Sequence, residues 1–114
     1  MNVLGKKLKL CGLNPLTGYS RNGYCNLGMY DKGTHIVCAV VTKEFLDFTY
    51  NKGNDLITPR NAFPGLKPGD RWCLCVLRWL EAYNNGVAPL VDLNCTEYAV
   101  LKYVSLDILG KYSI

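Results

Sequence analysis

Six cysteines, at positions 11, 25, 38, 73, 75 and 95, and a single histidine, His35, are the residues of this chain best suited to covalent chemistry. A thiolate beside an imidazole that a carboxylate orients is a nucleophile. With one histidine available, any such dyad must use it. Cys25 sits on a glycine-rich stretch from which it could swing to His35, and Asp55 could orient the ring, so Cys25, His35 and Asp55 form the catalytic candidate set. Cys38 is three residues from His35 and faces the other way in an extended segment. The plainer reading of His35 is a hydrogen-bonded structural residue at the entrance to a buried strand. Redox pairing of Cys25 with Cys11 lacks the Cys-x-x-Cys spacing of thiol oxidoreductases.

The same residues argue against a structural metal. Zinc takes ligand pairs two to four residues apart, and only Cys73-Leu74-Cys75 and His35-Ile36-Val37-Cys38 come near that pattern. A site assembled across the fold from Cys11, Cys25, His35 and another thiol is the metal-binding alternative; the expectation is no metal and no cofactor. Met1 to Leu10 carries Lys6, Lys7 and Lys9 and no apolar core of a secretory signal, so the expected location is cytoplasmic, with reduced thiols acting as small buried hydrophobes.

Non-covalent chemistry falls to arginines and aspartates on irregular segments. Arg21, Asp55, Arg60, Asp70 and Arg71 are the ligand-binding candidates, because a guanidinium fork suits a carboxylate or phosphate. Each has a plainer reading: Asp70 as a helix cap, Asp55 as a turn former in Gly53-Asn54-Asp55, Arg60 and Arg71 as solvated side chains.

The elements that must position these groups follow from patterning. Val3 to Cys11 reads as one or two short strands with Leu8 and Leu10 inward. Positions 12–33 lose periodicity and hold five glycines with Arg21, Cys25 and Asp31, a long irregular stretch of the kind that tends to be functional. His35 to Val41 is an apolar, β-branched run, a central strand. Thr42 caps a helix over 43–52 that Gly53 ends. Positions 53–70, with prolines at 59, 64 and 68, form the second long loop. Arg71, Arg78, Glu81 and Asn85 share a narrow arc of a helical wheel, so 71–85 reads as the core helix, with a strand over Arg71 to Leu77 as the alternative. Trp72, Trp79 and Tyr83 then form a core stripe. Leu90 to Cys95 reads as a strand, with short helices over 97–103 and 106–112. The order lacks βαβ alternation, giving one α+β domain with a small mixed sheet.

Composition bounds the rest. At 114 residues, 49% apolar and 19% charged, the chain is a single globular domain, and no apolar run is long enough to span a membrane. The net charge of +4 is spread out, with neither a basic stripe nor interleaved stacking aromatics, which argues against nucleic acid.

Asn14-Pro15-Leu16-Thr17-Gly18, the run from His35 to Leu46, Gly53-Asn54-Asp55-Leu56 with Thr58-Pro59, and the run from Phe63 to Cys75 resemble a bacterial family of small proteins, domain of unknown function 2237. The resemblance spans nearly the whole chain and implies no assigned activity, substrate or cofactor. The family pattern carries adjacent cysteines where Tyr24-Cys25 stands here, often a histidine at Glu97, and a longer loop before Phe63. The reading that emerges is a small binding or interaction domain whose two long loops form a cleft, possessing an unspecified small-molecule or protein partner and an anionic ligand as the favoured chemistry. Self-association stays open, and the alternatives are a thiol enzyme or redox protein using Cys25 and His35, and a metal-binding protein.

Overall fold

The computed structural model describes residues 1–114 and has an α+β fold. Strand β1 (His35–Val40) is central in a three-stranded antiparallel sheet, flanked by β2 (Arg71–Cys75) and β3 (Leu90–Val91). Helix α1 (Lys43–Asn51) follows β1, α2 (Val76–Asn84) follows β2 directly, and two 3-10 turns (Leu93–Cys95 and Tyr98–Lys102) lead to α3 (Leu106–Lys111). No helix is long and apolar enough to cross a membrane.

The apolar run of β1 is buried as its composition requires, with Ile36, Val37, Cys38 and Ala39 fully covered. Thr42 caps α1 by accepting from the Phe45 amide, and Phe45, Leu46 and Thr49 are the helix's buried face. Both α1 and α2 end in the same way. Gly53 and Gly86 take positive φ, so Asn54 N–H reaches the Thr49 carbonyl and Val87 N–H reaches that of Ala82. These paired bonds satisfy carbonyls that a helix end would otherwise leave orphaned.

The segment 71–85 is divided between a strand and a helix rather than forming one helix. A buried central strand must satisfy its backbone on both sides, and β3 covers only Ala39 and Val40. Residues 71–75 supply the other edge, with Val40 opposite Arg71, Cys38 opposite Cys73 and His35 opposite Cys75. The helical period is real only from Val76 onward, where Val76, Trp79 and Ala82 are buried and Arg78 pairs with Glu81. Trp72 therefore leaves the expected stripe, while Trp79 stacks on Tyr83 at 5.6 Å and meets Tyr112 edge-on.

Two other expectations fail. Residues 3–11 form no ladder, only an isolated bridge at Asn2, and Leu10 is exposed. Asn2, fully buried, replaces a ladder by bonding the Lys7 and Asn94 carbonyls and the Leu4 and Lys6 amides. The strand expected over Leu90 to Cys95 is two residues long, because Asp92 caps the following 3-10 turn by accepting from the Asn94 amide.

Candidate functional site

The cysteines divide into two groups. Five of them, Cys11, Cys25, Cys38, Cys73 and Cys95, form one buried cluster. Four of those are bridged, Cys11 to Cys38 and Cys25 to Cys73. This overturns the expectation of thiols serving as reduced filler. The cross-strand pair Cys38 and Cys73 carries both bridges outward to the loops, one to Cys11 and one to Cys25. Two buried threonines hold the backbone there: Thr96 Oγ1 accepts from the Cys38 amide, and Thr17 Oγ1 from the Cys73 amide.

Arg71 packs beside this cluster, is only partly solvated, and does not line the cleft. Its Nε donates to the Cys11 carbonyl at 2.6 Å and its Nη2 to Asp92 Oδ2 at 2.6 Å, with the Cys38 and Cys95 sulfurs at 3.5 and 3.7 Å. Burial alone would raise the Asp92 pKa. The Arg71 guanidinium and the Cys95 thiol outweigh it and hold the carboxyl below its usual range. Burial and then the Asp92 carboxylate push the Cys95 thiol up to about 11, so this free cysteine stays protonated and unreactive at neutral pH. Asp70 is likewise displaced from its expected role. With no helix starting at 71, it closes the Pro68-Gly69 turn by accepting from the Lys67 amide.

The two irregular segments meet in a cleft of about 630 Å³. The first loop contributes Gly18, Tyr19 and Arg21; the second contributes Asn54, Leu56 and residues 60–63; residues 72–75 of β2 and His35 complete the lining. Arg21 lies over the Trp72 ring at 5.0 Å and bonds the Gly18 carbonyl. Arg60 lies over Phe63 at 5.2 Å and bonds the Asp55 and Thr58 carbonyls. The aromatic faces attract the guanidinium charges. Asp55 holds the second loop, accepting from the Ile57 and Thr58 amides; hydrogen bonds from Thr58 come first among the causes that lower its pKa.

His35 faces this cleft, and its carboxylate partner is Asp31, not Asp55. Asp31 Oδ1 is 2.6 Å from His35 Nδ1, and Asp31 Oδ2 accepts from the His35 amide at 2.8 Å. Since the Asp31 carboxylate accepts, Nδ1 carries the hydrogen, and Nε2 has no partner within the protein. Tyr19 stacks on the imidazole at 6.2 Å, and Gly33 lies so close that a Cβ there would overlap the ring at 2.3 Å from Cε1. Cys25 is buried and bridged, so it has no thiol to offer His35. The free thiol opposite His35 is that of Cys75, half-buried at the end of β2. Sequence reasoning missed Asp31 and Cys75 in these roles. The Asp31-x-x-x-His35 spacing was the available signal for the first. For the second it was the shared face of Cys73 and Cys75 in an extended segment.

A search of curated proteins finds no match to this chain. The model of the family described as uncharacterized protein conserved in bacteria, domain of unknown function 2237, matches residues 1–113, and the chain belongs to that family.

Proposed function

We propose that the cleft binds a small anionic molecule through a carboxylate or phosphate group, with Arg21 and Arg60 as the recognising cations. The observation that carries this reading is the convergence of two guanidiniums from different loops on one concavity, each backed by an aromatic ring. A flat, pre-oriented fork loses less freedom on meeting a planar anion than a solvated side chain does. Asp55, which organises the Arg60 loop, supports the site without touching the ligand, and Arg71 and Asp70 have no part in it. Thermal unfolding in citrate or inorganic phosphate tests the reading. A probe present at ten times its Kd stabilises by about 1.4 kcal/mol, a rise in Tm of roughly 4–6 °C. Arg21→Gln and Arg60→Gln are each expected to abolish that rise; a rise that persists in both variants refutes the assignment.

A second reading draws on the sulfurs. Those of Cys11, Cys25 and Cys38 lie within 4.8 Å of one another. In a reducing cytoplasm they and Cys73 would be thiols, and four converging thiolates suit a tetrahedral thiophilic ion. Stoichiometric Co(II) uptake by the reduced protein, with tetrahedral thiolate absorption, is the expected result; no uptake eliminates this reading.

A further inference from the structure

We infer that Cys75 is a nucleophilic thiol at one end of the cleft, with His35 as its general base and Asp31 as the residue that positions the imidazole. The substrate class is an acyl ester or thioester whose acyl part bears an anionic group. This deepens the anion-binding reading of the same cleft and rests on it for substrate choice.

Three independent features support the assignment. Cys75 and His35 are directly opposed residues of the β1–β2 ladder, and both line the cleft. The ladder shifts register between His35 and Val37, so the pairing brings the two residues to the same end of the β1–β2 ladder, at the cleft, without fixing their side chains in regular cross-strand contact. No hydrogen bond joins them in the resting protein; catalytic contacts commonly tighten only when substrate binds. The second feature is the construction of the base. Asp31 fixes Nδ1, Tyr19 covers one face of the ring and Gly33 leaves space for it, and Nε2 has no partner within the protein. The third is where the sulfur sits in the chain. Cys75 is the N-cap of α2, directly at a strand-to-helix junction, and no side chain caps that helix. The Val76 amide donates to the Thr34 carbonyl, so what the junction offers a developing oxyanion is the positive end of the helix dipole.

The reaction balances without further reagents. The Cys75 sulfur attacks the ester carbonyl carbon as its proton passes to His35 Nε2. The ester C–O bond breaks, and that proton leaves on the alcohol, with the acyl group held as a thioester on Cys75. Water then attacks the thioester, Nε2 takes its proton and returns it to the departing sulfur, and the carboxylic acid is released. For a thioester substrate the C–S bond breaks instead and a thiol departs.

The test uses mono-p-nitrophenyl succinate and p-nitrophenyl acetate on the full chain under non-reducing conditions. Expected are a burst of p-nitrophenolate with the succinate ester, a succinyl adduct on Cys75 by mass spectrometry, and a rate about tenfold above that with acetate, as one charge recognition of about 1.4 kcal/mol gives. Cys75→Ser removes burst and adduct. His35→Ala slows acylation about 100-fold, in the range of general-base catalysis, and added imidazole restores part of it. Asp31→Glu recovers rate that Asp31→Asn loses, which a role confined to stability would not produce. An adduct on Cys95 or lysines instead of Cys75, or an undiminished rate in His35→Ala, overturns the inference. Equal rates for the two esters, with acylation still on Cys75, overturn the anionic reading of the cleft and leave the thiol intact. A citrate-induced rise in Tm without acylation does the reverse.

Discussion

Cys73 and Cys75 are two residues apart on the same short strand and both border the cleft, yet their surroundings differ. Cys73 lies under the sheet's sulfur-rich layer, bridged to Cys25, its amide satisfied by Thr17. Cys75 lies where that strand becomes a helix, unbridged, at the cleft and opposite His35. The difference lies in the surroundings rather than in the residue. A buried layer in which every polar group has a partner makes sulfur structural. A cleft wall with an imidazole opposite and a helix dipole beginning at the sulfur makes the same atom a potential reagent. The arginines differ in place: Arg71 bonds Asp92 and the Cys11 carbonyl beside the sulfurs, whereas Arg21, held by the Gly18 carbonyl, and Arg60, held by the Asp55 and Thr58 carbonyls and paired with the Asp55 carboxylate, line the cleft.

Substitutions in the sulfur layer should cost stability. The paired change Cys25→Ala, Cys73→Ala opens a 48-residue separation and should cost about 4 kcal/mol on chain-entropy grounds. Cys11→Ala with Cys38→Ala, across a separation of 27, should cost slightly less, about 3.6 kcal/mol, both read from urea midpoints. Arg71→Met leaves Asp92 without its cation. Since that pair is partly solvated, the expected loss is about 1–2 kcal/mol, below the range for fully buried pairs.

The pH dependence of this layer has a definite sign. Cys95 is harder to ionise folded than unfolded, so its contribution is fully present below pH 9 and is lost as pH rises from 9 towards 11. Denaturation midpoints should fall across that window, and Cys95→Ser should flatten the fall. Asp92 acts at the opposite end: its depressed folded pKa makes its contribution present above the usual carboxylate range and lost as pH falls below it.

In the cleft the stability effects should be smallest and the functional ones largest. Arg21→Gln and Arg60→Gln should each move stability by less than about 0.5 kcal/mol, as surface changes do, while removing citrate or phosphate binding. Gly33→Ala should unfold with nearly the same midpoint yet lose Cys75 acylation, because the added methyl must displace the His35 ring.

How much of this was legible in the sequence depends on what fixed each element. β1, α1 with its Thr42 cap and the Gly53 and Gly86 stops were readable, because composition and local capping determine them. The meeting of the two glycine- and proline-rich loops at one cleft, with Arg21 and Arg60 in it, was readable as an arrangement. The split of 71–85 was not, because the wheel position of Arg71 mimicked a helix while the demand came from the unpaired edge of β1. The disulfides were not legible either. Their partners are 27 and 48 residues apart, and only the strand register brings Cys38 beside Cys73. Asp31 was visible as a polar loop residue, but the turn that brings it back to His35 depends on Thr34 at positive φ.

The division of labour among the sulfurs is tested most directly by mapping thiols in the native, unreduced protein with iodoacetamide and peptide mass spectrometry. Alkylation at Cys75, with Cys95 modified only after unfolding and the other four recovered as the pairs 11–38 and 25–73, is the expected result. Native alkylation at Cys25 or Cys11, or a Cys75 that resists the reagent, would contradict it.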